Sequence, residues 1–356
     1  MNYQETRDFL AKHTELVELH VDGAHVAIAP QWQGRVMTST CGGRQGPSFG
    51  FVNRKFIEAG TPDKQFNNYG GEERMWLSPE GGQFSLWFAP GVEQTWENWF
   101  TPPALNETQW TVEKDGDGAC RMTADMKLQN ASGSRLEVDV SRGVRLLGGE
   151  ELGGLFGPTV AELMSTGGAQ TVAFETANEI TNRGDDLTAD KGLLSVWILG
   201  MMNASEETVV IVPYKPGKQD ELGSVVKADY FGQVPSERLK IVPEAVFFAA
   251  DSHCRSKIGT SQLRAKNVLG SIDFGSGVLT LVSFTMPENP AAERYMNNMW
   301  GGPHDDPYSG DVVNSYNDGP DDSGNQLGPF YEVESLSPAG ELKTGQSLLH
   351  RHRTIH

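Results

Sequence analysis

A chain of 356 residues, 38% of them apolar, is long enough to bury a large core in one big domain or two modest ones. Its 47 acidic against 29 basic side chains leave a formal charge of −18. That surplus repels phosphate backbones and anionic bilayers, so nucleic acid and membrane are disfavoured as partners, while neutral or cationic partners, or a metal, stay open.

In chain order, the first element is a short helix over residues 6–13, which carries Phe9 and Leu10 among charges. Strand signals follow. Residues 17–21 alternate, Asp22-Gly23 reads as a hairpin turn, and 25–29 alternate back until Pro30 ends them. Further strand-like runs lie at 83–88, 110–112, 120–128, 136–146, 171–174, 193–199, 208–212, 246–249, 278–284 and 330–333. Turn clusters separate nearly all of them, and the 41 glycines and 19 prolines argue against a helical bundle. The expectation is an all-β, antiparallel sandwich spanning residues 1–356 as a single domain. The stretch 287–328, with Trp300 and His304, reads as one extended functional loop over a cleft. No run approaches the ~18 apolar residues of a membrane span. The polar start lacks a secretory leader, which predicts a cytoplasmic protein, or a periplasmic one whose leader has been removed. Cys41, Cys120 and Cys254 are odd in number and far apart, so they read as buried free thiols.

Several residues could carry chemistry. Glu332 and Glu334 lie two apart, so a strand would present both on one face, with Tyr331 and Val333 on the other. Neighbouring carboxylates raise each other's pKa, which yields a general base near neutral pH or a cation site; a merely solvated face gives the same pattern. Arg74 and Trp76 would likewise share a face and offer a sugar a cation and a flat ring, with Trp96, Trp99 and Trp110 nearby and Glu80 at a Gly81-Gly82 turn. Arg255 with Lys257, and Arg264 with Lys266, alternate on probable strands. They would pair with the surplus carboxylates, or Lys257 would neutralise a substrate oxygen. The stretch from Asn314 and Asn317 through Asp318, Asp321 and Asp322 to Asn325 is dense in oxygen ligands and would suit turns or a Ca2+ ion, without the EF-hand spacing. His350, His352 and His356 alternate at the end of the chain, as edge-strand imidazoles, metal ligands or an acid partner for the glutamates.

Near the start stands Val26-Ala-Ile-Ala-Pro-Gln-Trp-Gln-Gly-Arg-Val-Met-Thr-Ser-Thr, and near the end Gly328-Pro-Phe-Tyr-Glu-Val-Glu-Ser-Leu-Ser-Pro-Ala-Gly-Glu-Leu-Lys-Thr-Gly-Gln-Ser. The first resembles the opening hairpin, and the second the final segment, of the aldose 1-epimerase (galactose mutarotase-like) superfamily. Residues 70–84 and 175–183 resemble internal strands of the same architecture. The whole chain resembles an uncharacterised bacterial group of that superfamily, marked by Glu97-Asn-Trp-Phe-Thr-Pro-Pro and Gly310-Asp-Val-Val-Asn-Ser-Tyr-Asn. The resemblance implies a large β-supersandwich with a carbohydrate-sized cleft, and, for an enzyme, an aldose 1-epimerase-like isomerase without a cofactor. It pairs a late-strand Glu base with a mid-chain His acid. Here Glu332 or Glu334 would be the base, and His253, His350 or His352 the acid. Arg74, Trp76, Glu80, Trp99, Lys257, Arg264, Asn314 and Asn317 would bind the sugar. A non-catalytic carbohydrate-binding or accessory protein, and a lyase or hydrolase of modified sugars, are the alternatives.

Overall fold

Apart from residues 159–161, 163–167 and 322, the computed structural model describes the whole chain. The first element, α1 (Tyr3–Leu10), begins three residues before the sequence-based expectation because Asn2 caps it. The Asn2 side chain accepts from the Glu5 backbone N–H at 2.8 Å, and the Glu5 carboxylate takes the Asn2 N–H at 3.2 Å. Phe9 and Leu10 pack with Ala29, Met37 and Ile57. Asn2→Ala should cost about 1 kcal/mol in urea unfolding, the usual worth of an N-cap side chain.

The described residues then form eighteen strands: β1 (Val17–Val21), β2 (Ala24–Ala29), β3 (Arg35–Thr40), β4 (Arg74–Ser78), β5 (Thr111–Asp115) and β6 (Ala119–Gln129). Next come β7 (Arg135–Leu146), β8 (Ala173–Asn182), β9 (Ser195–Asn203), β10 (Thr208–Pro213), β11 (Leu239–Val242) and β12 (Ala245–Ala249). The last are β13 (Ser256–Ser261), β14 (Val268–Asp273), β15 (Val278–Phe284), β16 (Asp311–Asn317), β17 (Phe330–Leu336) and β18 (Ser347–Ile355). They pair antiparallel into a three-stranded sheet β1-β2-β3, a ten-stranded sheet β11-β12-β10-β14-β15-β18-β8-β7-β6-β5, and a five-stranded sheet β13-β16-β17-β9-β4. This is the large antiparallel all-β architecture, with its short N-terminal helix, that the sequence implies.

Burial separates the sheets. In β6, buried Cys120, Met122, Ala124, Met126 and Leu128 alternate with exposed residues, so that face of the ten-stranded sheet is wet. Every residue of β4 and β17 is buried. On β17, Tyr331 points into the space between the sheets, where its hydroxyl meets Ser271 Oγ at 2.6 Å, and Glu332 and Glu334 point the other way. Loops cover that second face, and a cleft lies between them and the sheet.

The structure corrects several expectations. Residues 83–88 form turns instead of a strand. Phe84, Leu86, Trp87 and Phe88 are all buried, and with Gly81-Gly82 before them the backbone bonds locally, Leu86 N–H to Pro79 O at 3.0 Å and Trp87 N–H to Ser85 Oγ at 3.0 Å. The stretch 287–328 is not one loop, because β16 runs through it as an interior strand of the five-stranded sheet. Cys120 is a buried free thiol, while Cys41 and Cys254 are half-buried. No helix among the described residues is long and apolar enough to cross a membrane.

Candidate functional site

Strand register assembles the cleft floor. Lys257 on β13 lies opposite Tyr316 on β16, which lies opposite Glu332 on β17 and then Met201 on β9. The next row runs Gly259, Asn314, Glu334, Leu199 and Arg74, and Trp76 on β4 faces Trp197 on β9. Since the pleat repeats every two residues, all these side chains emerge on one face. Loops supply the walls: Phe66, Glu80, Trp96, Trp99, Phe231 and Trp300. Two adjoining lobes result, which share Glu80, Trp96, Phe231, Arg255, Lys257 and Trp300. A cleft lined mainly by aromatic rings, with a few convergent charges, suits a small polar molecule with apolar faces.

The charges are held firmly. Arg74 Nη2 pairs with Glu332 Oε1 at 2.9 Å, and its guanidinium lies 4.3 Å from the Trp76 ring centre. Lys257 Nζ reaches Glu334 Oε2 at 3.0 Å, and Trp197 Nε1–H donates to the same oxygen at 2.9 Å. Glu80 Oε1 accepts from Trp99 Nε1–H at 2.9 Å. Burial pushes the Glu332 carboxyl up to about 7 against the pull of Arg74, with the Glu334 charge adding to the rise. Burial also raises Glu80, countered by Lys257. For Lys257, burial acts downward, but Glu334, Glu80 and Glu332 together hold it above the ordinary lysine range. The Tyr230 hydroxyl donates to Asp311 and accepts from Asn314 Nδ2 at 3.1 Å, which fixes the rim beside Lys257.

The cleft thus gathers Glu332, Arg74, Trp76, Glu80, Trp99 and Lys257 from the sequence-based set. Glu334 lies fully buried under the floor as the anchor of Lys257, and Asn314 supports Tyr230. The rest are elsewhere. Asn317 faces away from Tyr316, accepting from Ser252 N–H at 2.8 Å and donating to Cys254 O at 2.9 Å. Arg264 sits in the turn after β13, where its guanidinium holds the carbonyls of Lys215, Gly217 and Gly223. His253 is exposed and pairs with Glu206 at 2.9 Å. His350 and His352 do share a face of β18, but it is the face between the sheets: both rings contact Ser335 Oγ, at 2.8 and 2.9 Å, and Ser335 points opposite to Glu334. Burial drives His350 down to about 3 and His352 well below the imidazole range, so both are neutral and out of reach of the cleft. His356 lies between Glu72 at 3.1 Å and Thr280 at 2.9 Å, also away from it.

The oxygen-rich stretch is divided. Asn314 and Asn317 belong to β16, Asp318 accepts from Tyr316 Oη–H at 2.6 Å, Asp321 accepts from the N–H groups of Ser323 and Asn325, and Asp322 lies outside the described residues. Among the described residues no group of three or more His, Cys, Asp or Glu is arranged to hold a metal ion. Sequence reasoning missed Trp197, Tyr230, Phe231 and Asp311 as members of the site. Only Trp197, inside the expected strand 193–199, carried a periodic signal.

A family model described as a family of unknown function, DUF6786, matches residues 1–356. No curated protein matches in sequence. Among solved structures, the fold is similar to that of a candidate aldose 1-epimerase from Escherichia coli K12, with TM-score 0.53, 10% identity, and coverage of 96% of this chain and 99% of that one. It is also similar to a galactose mutarotase-like protein from Lactobacillus casei ATCC 334, with TM-score 0.52, 10% identity, and coverage of 96% and 100%. A galactose mutarotase related enzyme from Lactobacillus acidophilus aligns with TM-score 0.50, 10% identity, and coverage of 96% and 97%. At such identities the likeness establishes the galactose mutarotase-like fold.

Proposed function

We propose that this chain, which belongs to the family of unknown function DUF6786, holds a sugar ring in its aromatic cleft and exchanges protons with it through Glu332 and Glu80. The observation that carries the reading is the Glu332 carboxyl, raised to about 7 on a floor walled by indole rings. A sugar presents C–H faces to aromatic rings and hydroxyls to charged groups, and the cleft offers both. A carboxyl that titrates near neutrality is suited to take and return a proton.

The reaction is interconversion of anomers. Glu332 as carboxylate removes the proton of the anomeric hydroxyl, and the freed electron pair forms the C1 carbonyl. The C1–O5 bond breaks towards O5, which takes a proton from Glu80. Rotation about C1–C2 and the reverse steps close the other anomer, so protons and electrons balance and no redox partner is needed. Arg74 orients Glu332, and Trp99 Nε1–H orients Glu80. Glu80 fills the part that the family resemblance gives to a histidine, since none of the eight histidines, all among the described residues, lines the cleft.

That vacancy favours a second reading, a sugar-binding protein without turnover. Optical rotation of freshly dissolved α-D-glucose and α-D-galactose, followed beside a tryptophan-fluorescence titration with the same sugars, separates the two. Faster mutarotation than in buffer supports the isomerase. A fluorescence change without acceleration supports the binding protein. Neither effect, across neutral and acidic hexoses, overturns the sugar reading.

A further inference from the structure

Three cations line the cleft, and two are already matched. Arg74 is paired with Glu332 at 2.9 Å and Lys257 with Glu334 at 3.0 Å. Arg255, which borders both lobes, makes no ion pair and no side-chain hydrogen bond among the described residues. Its guanidinium lies 4.6 Å from the Phe231 ring centre, and its Nε is buried without a partner. Asp318 and Asp321, on the segment after β16, feel its charge, but neither carboxylate comes close enough for an ion pair, so among the described residues its N–H donors are left without an acceptor.

Nor is its position loose. Arg255 immediately precedes β13, and the Cys254 carbonyl before it accepts from Asn317 Nδ2–H at 2.9 Å. Gly319 packs so tightly beneath that a Cβ there would come within 2.4 Å of the Arg255 nitrogen. The backbone is therefore clamped from β16 and from the segment that follows it, and the side chain is delivered to the junction of the two lobes. The other titratable groups shared by both lobes are already engaged, Lys257 by Glu334 and the Glu80 carboxyl by Trp99 Nε1–H.

We infer that the cleft selects sugars bearing an anionic substituent, a carboxylate or a phosphate on the exocyclic carbon, and that Arg255 is the residue that reads it. The inference rests on the sugar-binding reading of the same cleft. A guanidinium meets an oxyanion through two parallel N–H donors, which a neutral hydroxyl cannot match. The ring would lie over the indoles and Glu332, with its charged arm turned towards Phe231 and Arg255. The chain's overall charge works against any anion at long range, so the selectivity must come from this short-range contact.

Dissociation constants measured by tryptophan fluorescence for D-glucose, D-glucuronate and D-glucose 6-phosphate, and for the corresponding galacto sugars, test this. In the wild type at least one acidic sugar should bind tenfold or more tightly than its neutral parent, and the better of the two identifies the anion as carboxylate or phosphate. Arg255→Gln should remove that preference while leaving the neutral hexose within about twofold, and Arg255→Lys should keep part of it. Equal binding of neutral and acidic sugars by the wild type, or an equal loss for all of them in Arg255→Gln, overturns the inference and leaves the sugar reading standing. Binding of none of them overturns both. Circular dichroism of the variants confirms that the fold is kept.

Discussion

Glu332→Gln should abolish sugar turnover while sparing sugar binding. Losing a general base costs typically 10²–10⁴-fold in rate. The amide keeps the size of the carboxyl and can still accept from Arg74 Nη2, so the floor stays filled and Kd for the sugar should move by only a few-fold. Polarimetric kcat and fluorescence Kd, measured on the same preparation, check both halves. Equal weakening of both would make Glu332 a binding group and not a base.

The same carboxyl sets a pH limb. Its ordinary pKa lies in the mid-fours, and burial raises it to about 7. The working form is the carboxylate, so kcat/KM should rise tenfold per pH unit below about 7 and level off above it. Glu80 works in its protonated form and is also raised by burial, so activity should fall again once it loses its proton. Removing the guanidinium in Arg74→Met takes away a charge that holds Glu332 down, and should move the rising limb to higher pH.

Much of this site was legible because strands repeat every two residues. That one fact put Glu332 with Glu334, and Arg74 with Trp76, on shared faces before any contact was known, and register then carried both pairs to the same floor. The period says nothing about which face meets the other sheet, and so His350 and His352, correctly read as neighbours on one face, turned out to meet Ser335 in the interior. Nor does it reach residues delivered by loops. Tyr230 and Phe231 are brought in by tertiary packing, from a segment whose local sequence looks like any other connection, whereas Trp300 comes from the stretch that already read as a loop over a cleft. β16 escaped notice for a third reason: Asp-Val-Val-Asn-Ser-Tyr-Asn is too polar to read as a buried strand, and it is polar because its side chains serve the cleft rim and the loops around it.

The sandwich interior holds a second feature invisible from spacing, and the largest stability effect should come from it. Arg142 on β7 and Glu73, just before β4, are both fully buried and paired at 2.9 Å. Arg142 also donates to Gly34 O at 2.9 Å and to Asn178 Oδ1, and Glu73 Oε1 accepts from Thr176 Oγ1–H at 2.6 Å. One guanidinium therefore ties the ten-stranded sheet to the turn between β2 and β3 and to the entry of β4, the strand that carries Arg74 and Trp76. Arg142→Met should cost about 3–5 kcal/mol in guanidinium-chloride unfolding, because it leaves a carboxylate buried without its cation. The loss should depend on pH with a definite sign. Burial already raises Glu73, with Arg142 opposing, so without Arg142 its folded-state pKa climbs further above the unfolded value. The folded variant then binds a proton that the unfolded chain releases, and its deficit should be greatest at neutral and alkaline pH and shrink in mild acid. Replacing both partners in Arg142→Met/Glu73→Leu should recover most of the stability, since no charge is then left to desolvate. If the double variant were no better than Arg142→Met alone, the loss would lie in the broken contacts to Gly34 and Asn178, and the pair would be a brace for the strand ends rather than a charge held in balance.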